Sequence, residues 1–296
     1  MAAPTERAGH RNPRAKKRFG QNFLEPVWAR KVVAAIAPRP TDLFVEIGPG
    51  PGTITRPLSE AASALIACEI DRDLAAALRE EALPKVHVIE ADFLQLSRER
   101  LIEDVHAVAA PGTPIRVAGN LPYNVASPIM FRLLDLSRQG VPLQDATIML
   151  QREVADRLLA VPGSTDYGLL TVLVGHRATV SRLLNLPPGA FRPAPKVQSS
   201  VVRLGFHPPE PPVTSEPLLA AVTGAVFSRR RKTLGNALLA YGGLTPTLAA
   251  DALAAAGIDP TRRGETLTIA EFVALANAVG VVVNATRAQS PPIPVL

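Results

Sequence analysis

Hydrophobic and polar positions follow two regimes along this chain. Over roughly the first two hundred residues, short apolar runs rich in Val, Ile and Leu alternate with longer segments whose apolar positions recur every three to four residues. The short runs, bounded by Gly, Pro and polar residues, read as buried strands, and the longer segments read as helices. Strands are predicted at 42–47, 64–69, 86–89, 114–118 and 145–150, with another ending the stretch 193–202. Helices are predicted at 26–37, with Pro26 in its first turn, at 54–62, from Asp73 onward, at 125–136 and at 151–159. Such alternation implies an α/β fold with a mostly parallel, doubly wound sheet.

The pattern breaks at His207-Pro208-Pro209-Glu210-Pro211-Pro212, where clustered prolines cannot continue either kind of element. Beyond it only helical periodicity remains, at 218–227, 232–241, 248–256 and 269–279. Thr268 and Glu271 stand as a capping box before the last of these. The organisation read from the pattern is a basic arm over 1–18, an α/β domain over 19–207, a small all-helical domain over 213–282 and an unstructured tail over 283–296.

Composition narrows the class. A chain of 296 residues, 47% hydrophobic, can bury two cores, and charged residues, Pro or Gly interrupt every apolar run before it reaches the ~18 residues of a membrane span. The N-terminus has no apolar stretch of the secretory kind. An Arg-rich, acid-poor leader is an alternative, but it contains no Ser and its basic run continues into a motif. The single cysteine, Cys68, lies in an apolar strand and excludes both a disulfide framework and a cysteine-based zinc site. The His residues show no ligand spacing, so no metal is expected.

The net charge is +6 and its distribution is uneven. Arg7, Arg11, Arg14, Lys16, Lys17 and Arg18 face only Glu6, and Arg229-Arg230-Arg231-Lys232 forms a second run. Two such runs at a pI near 9.9 favour a polyanion, with nucleic acid ahead of a membrane surface because neither run shares a helix with an apolar face.

Candidate chemistry sits at the predicted strand ends, where open α/β sheets hold ligands. After the first strand comes Gly48-Pro49-Gly50-Pro51-Gly52-Thr53. Its glycines let backbone pass close to a ligand, but the third falls one place early for a dinucleotide fingerprint, and the prolines remove two amide donors. Walker A fails for want of Gly-Lys-Ser/Thr. The loop suits a ligand without phosphates, such as a nucleoside with an amino-acid tail. Glu69 ends the next strand, where a carboxylate can accept both ribose hydroxyls; alternatively Glu69 or Asp71 caps the following helix. Asp92, after the third strand, can accept an adenine amino group with Phe93 beside the ring, or is an ordinary strand end. The fourth strand delivers Asn120-Leu121-Pro122-Tyr123. An amide acceptor, a stiff turn with outward carbonyls and a flat ring suit a planar base with an exocyclic amine. The alternative is a tight turn in which Asn120 caps the next helix and Tyr123 packs down.

The order and spacing of these motifs, with Lys17-Arg18-Phe19-Gly20-Gln21-Asn22-Phe23-Leu24, Glu46-Ile47-Gly48-Pro49-Gly50, Glu69-Ile70-Asp71, Ala91-Asp92, Pro195-Lys196-Val197-Gln198-Ser199 and Pro260-Thr261-Arg262-Arg263-Gly264-Glu265, resemble the ribosomal RNA adenine dimethylases, in particular their bacterial small-subunit branch. The resemblance implies a Rossmann-like S-adenosylmethionine-dependent methyltransferase sheet with a C-terminal all-helical domain. It also implies S-adenosyl-L-methionine as cofactor, 16S rRNA of the immature small subunit as partner, and a cytoplasmic monomer. Carried over position by position, Asn22 and Leu24 line the methionine end of the cofactor, Gly48 passes beneath it, Glu69 holds the ribose and Asp92 the adenine. Asn120 lies between cofactor and target base. Pro51-Gly52 departs from the bulkier pair of many relatives.

On this reading N6–H groups of the target bond to the Asn120 amide oxygen and to a carbonyl at Leu121 or Pro122, while Tyr123 stacks on the base. No basic side chain is needed, because the cofactor carries the reactive group and the protein orients it. Phe191 or Phe227 either stacks on an unpaired base or belongs to the core. Two competing functions remain: a 23S rRNA methylase of the macrolide-resistance type, against which the Lys196–Ser200 and Arg262–Glu265 segments stand, and an assembly factor without chemistry.

Overall fold

The computed structural model describes residues 22–289, so the readings for the basic arm over 1–18 lie outside the described residues. In chain order the elements of the first half are β1 (Phe23–Leu24), α1 (Pro26–Ile36), β2 (Leu43–Ile47), α2 (Thr55–Ala61), β3 (Ala64–Glu69), α3 (Arg72–Glu80), β4 (Val86–Glu90), α4 (Arg98–His106), β5 (Ile115–Asn120) and α5 (Ala126–Arg138). There follow β6 (Leu143–Gln151), α6 (Arg152–Leu158), α7 (Leu169–Gly175), β7 (Ala178–Leu186), β8 (Phe191–Arg192), β9 (Ser199–Phe206), α8 (Glu216–Ser228), α9 (Leu234–Ala237), α10 (Pro246–Ala255) and α11 (Ile269–Gln289). No helix among the described residues is long and apolar enough to cross a membrane.

The main sheet runs β4-β3-β2-β5-β6-β9-β7. β2 pairs in parallel with β3 and β5, β3 with β4, and β5 with β6. The chain order reverses between β3-β2 and β5, the switch point at which such sheets open a crevice. Register brings the carboxyl ends together: Ile47 stands opposite both Cys68 and Gly119, and Glu69 opposite Glu90. β2 is buried along its whole length, as a strand covered on both faces must be.

The compact units differ from a single boundary at the proline run. Among the described residues, one comprises the chain up to Gln151 together with Leu183–Val202, the other Arg152–Arg182 and the chain from Arg203 onward, so the chain leaves the first unit after β6 and returns midway along β7. The reason is packing. α7 and the residue two places before it carry Val172 and Tyr167 into the core of the second unit, which also buries Leu219, Val226, Leu234, Leu253 and Phe272. Local periodicity cannot reveal which of two cores a helix will join.

Further differences concern single elements. β7 is a strand where no element is predicted, and β1 pairs with β8 through Leu24 and Phe191, which are 167 positions apart in the chain. The helix expected over 232–241 shrinks to α9 and a 3₁₀ turn over Leu238–Ala240. α11 continues to Gln289, into the stretch expected as tail. Its capping box forms as expected: Thr268 Oγ1 accepts from Glu271 N–H at 3.2 Å, and Glu271 Oε2 accepts from Thr268 N–H at 2.7 Å.

Candidate active site

Every site residue singled out in the sequence lines one cleft of the first unit: Asn22, Leu24, Gly48, Glu69, Asp92 and the segment Asn120-Leu121-Pro122-Tyr123. The cleft opens at the carboxyl ends of β2, β3, β4 and β5. Glu46, Phe23 and Ile70 also face it.

The glycine loop is built for close approach, not for phosphate. Gly48, Gly50 and Gly52 have φ of 68°, 58° and 77°, values that strain any side chain. A Cβ at Gly50 would stand 3.2 Å from the Phe23 ring, whereas at Gly48 nothing lies within 4 Å of that point. The loop therefore leaves open space over Gly48 and is closed by Phe23 over Gly50. All three glycine N–H groups are engaged inside the protein: Gly48 donates to the Cys68 carbonyl at 2.9 Å, Gly50 to Glu69 Oε2 at 2.9 Å and Gly52 to the Pro49 carbonyl at 3.0 Å. A pyrophosphate would find none of them.

Glu69 is 3% exposed, and its second oxygen accepts from Asp71 N–H at 2.8 Å. The helix-capping alternative is settled in favour of Asp71, which caps α3 by accepting from Asp73 N–H at 3.1 Å. Burial raises the Glu69 carboxyl above its ordinary value against the opposing pull of those two backbone bonds. Asp92 Oδ1 accepts from Leu94 N–H at 3.0 Å, a turn that fixes the carboxylate on the cleft wall.

Asn120 is the last residue of β5. Its Nδ2 donates to the Asn22 carbonyl at 2.7 Å, which sets the amide's orientation and turns the acceptor oxygen the other way. The capping alternative fails here too, since α5 is preceded by Val125 and has no side-chain cap. The Pro122 carbonyl accepts from Val125 N–H at 3.0 Å, so it is already engaged in closing the turn. Tyr123 is half-buried, and its hydroxyl shares a 2.7 Å hydrogen bond with Ser199 Oγ in which either group can donate. Burial keeps the phenol above its usual range, with the Ser199 bond opposing, so it stays neutral near pH 7.

Two of the expected alternatives resolve toward the core. Phe191 is 2% exposed among the buried residues of the first unit, and Phe227 stacks on Phe272 at 5.4 Å with Tyr167 at its edge. Burial pushes the Cys68 thiol up to about 12, leaving it inert. In the second basic run, Arg230 pairs with Glu265 at 2.9 Å, while Arg229, Arg231 and Lys232 are exposed.

Sequence reasoning gave Glu46 no role. It sits inside β2, is 1% exposed, and its Oε2 has no hydrogen-bond partner among the described residues. Burial first, and then the neighbouring Glu69 charge, push its carboxyl up to about 7. The signal was an acid inside an apolar strand, Phe44-Val45-Glu46-Ile47, two residues before the glycine loop.

Known proteins resemble this chain over most of its length. The chain is 45% identical over 269 residues to the ribosomal RNA small subunit methyltransferase A of Aromatoleum aromaticum, covering 90% of this chain and 94% of that one. It is 44% identical to the protein of that name from Laribacter hongkongensis, covering 90% and 96%. Among solved structures, a dimethyladenosine transferase from Plasmodium falciparum shares the fold at a TM-score of 0.68 and 24% identity, over 86% of this chain and 95% of that one. The 23S rRNA methyltransferase ErmE does so at 0.59 and 25%, over 88% and 100%. The ribosomal RNA adenine dimethylase family model matches residues 12–279, and the chain therefore belongs to the ribosomal RNA adenine dimethylase family.

Proposed function

We propose that this protein dimethylates N6 of two adjacent adenosines in the hairpin loop near the 3′ end of 16S rRNA, within the immature small subunit, acting as a cytoplasmic monomer. The observation that carries this reading is the orientation of Asn120: its amide nitrogen is held by the Asn22 carbonyl, in the same cleft wall as Glu69, Asp92 and Tyr123. The 45% relatives named for the small subunit favour it over the 23S alternative, whose solved example is 25% identical.

The cleft fits S-adenosyl-L-methionine on three counts. Open space lies over Gly48, the glycine amides leave no phosphate site, and two carboxylates stand at the neighbouring strand ends. Asn22, Leu24 and Gly48 would hold the methionine end, Glu69 the ribose and Asp92 the adenine. The cofactor supplies an electrophilic sulfonium methyl.

The chain's own residues would do the rest. Asn120 Oδ1 and the Leu121 carbonyl accept the two N6–H bonds of an extruded adenine, which favours a pyramidal nitrogen and aims its lone pair across the cleft. Pro122 stiffens the turn carrying these acceptors, and Tyr123 stacks on the base. After one transfer a single N–H remains, so one acceptor must suffice for the second. The neutral Tyr123 takes no proton from N6, and the released proton passes to solvent. The exposed cations Arg229, Arg231 and Lys232 supply salt-sensitive RNA affinity.

Incubating the protein with labelled S-adenosylmethionine and immature small subunits, then mapping modified bases, tests the reading. Two adjacent dimethyladenosines in 16S rRNA support it. Label in 23S rRNA would move the protein to the macrolide-resistance type, and binding without label would make it an assembly factor.

A further inference from the structure

Ser199 opens β9, which lies two strands from β5 in the sheet, with β6 between. It is fully buried, yet its hydroxyl reaches Tyr123, 76 positions away in the chain, with the 2.7 Å bond described above. Strand alternation sends the next residue the other way: Ser200 Oγ donates to Asn185 Oδ1 on β7 at 3.0 Å. Two adjacent serines thus serve two purposes, one tying β9 to its neighbour and one gripping the ring beside the cleft. A half-buried tyrosine following a turn would otherwise hold its ring only by packing, with rotation about its side-chain bonds unopposed on the exposed side.

We infer that Ser199 is a positioning residue that anchors the hydroxyl end of Tyr123 and so holds its ring against swinging about the Cα–Cβ bond, and that this anchoring governs the second methyl transfer more than the first. The inference rests on the proposed adenine dimethylation. The first transfer acts on an amino group with two N–H bonds to hold it, whereas the second acts on a methylamino group with one. When hydrogen bonding to the base is halved, its placement depends more on the face it stacks against, so a ring free to swing costs the second step more.

The test compares Ser199→Ala, Tyr123→Phe and the double variant, each checked by thermal melting. The readouts are cofactor affinity and the ratio of N6-monomethyladenosine to N6,N6-dimethyladenosine over time. Tyr123→Phe keeps the ring and removes only the hydroxyl, so it remains informative if Ser199→Ala folds poorly. The expected result is cofactor affinity within twofold of the parent, a first transfer slowed about twofold or less and a second slowed about fivefold, the loss of one hydrogen bond. Monomethyladenosine should accumulate equally in all three, because the same bond is missing from each. An unchanged product ratio in Tyr123→Phe, or a double variant as impaired as the product of the two singles, overturns the inference. A parent protein that forms no dimethyladenosine at all overturns the proposed function itself, a result told apart from the former by the parent control.

Discussion

The two ends of β5 show how one strand can serve stability at one end and chemistry at the other. Near its start, Arg116 is 4% exposed and closed in on every side. It bonds Asp42 at 2.6 Å and Asp145 at 3.0 Å, and it donates to the carbonyls of Ile36 and Ala37 at the end of α1. Burial alone would raise the Asp42 carboxyl, but Arg116 and Arg39 hold it below its ordinary value. At the other end and at the neighbouring ends of β2 and β3, Asn120 has its donor engaged and its acceptor aimed elsewhere, Glu46 keeps an oxygen with no hydrogen-bond partner among the described residues, and Glu69 is held by backbone N–H groups. A buried polar group without a partner costs stability. The carboxyl end of the sheet carries that cost where a ligand can relieve it, and the amino end carries none.

The largest effect should come from opening the closed end. Arg116→Ala strands Asp42 and Asp145 and should destabilise the fold by about 3–5 kcal/mol, read as a lowered Tm, while cofactor affinity of the folded fraction stays put. If melting is unchanged, the contrast between the ends fails. Next, Asn120→Ala should cut turnover about a hundredfold or more, by analogy with loss of one aimed polar group at a reacting centre. Cofactor affinity should stay within a few-fold, and an equal loss of affinity would refute the separation of cofactor-binding from base-orienting residues. Glu69→Gln should weaken cofactor binding about tenfold, measured by calorimetry, because the amide cannot accept from Gly50 and Asp71 at once and still serve a diol.

The smallest effect concerns pH. The Glu46 carboxyl titrates near 7 when folded, against an ordinary 4.5, so the folded protein binds the proton more tightly than the unfolded chain. Its contribution is complete below about 4.5 and is lost as pH rises through about 7. Stability should therefore fall across that window, with Glu69 the charge that adds to burial and Arg56 one that opposes it. Glu46→Gln should flatten the decline in urea-unfolding free energy, and an identical pH slope in the variant would show that another group is responsible.

Much of this protein was legible in its residues. Strand–helix alternation, the glycine loop, the capping box at Thr268 and Glu271 and the placement of Glu69, Asp92 and Asn120 at strand ends all follow from local rules. Backbone geometry and side-chain period act over a few residues and leave their mark in the order of residue types. Other features needed the fold. The orientation of the Asn120 amide depends on a carbonyl 98 positions away, the Tyr123 anchor on a serine 76 away and the closing of Gly50 on the ring of Phe23. Likewise α6 and α7 join the helical unit though they precede the proline run. Hydrogen bonds to a distant backbone and the sharing of helices between cores carry no periodic signature, because any residue can offer a carbonyl and any apolar stripe can fill either core. Residue order alone thus determined which groups stand at the carboxyl edge of the sheet, and tertiary structure alone decided which way they point.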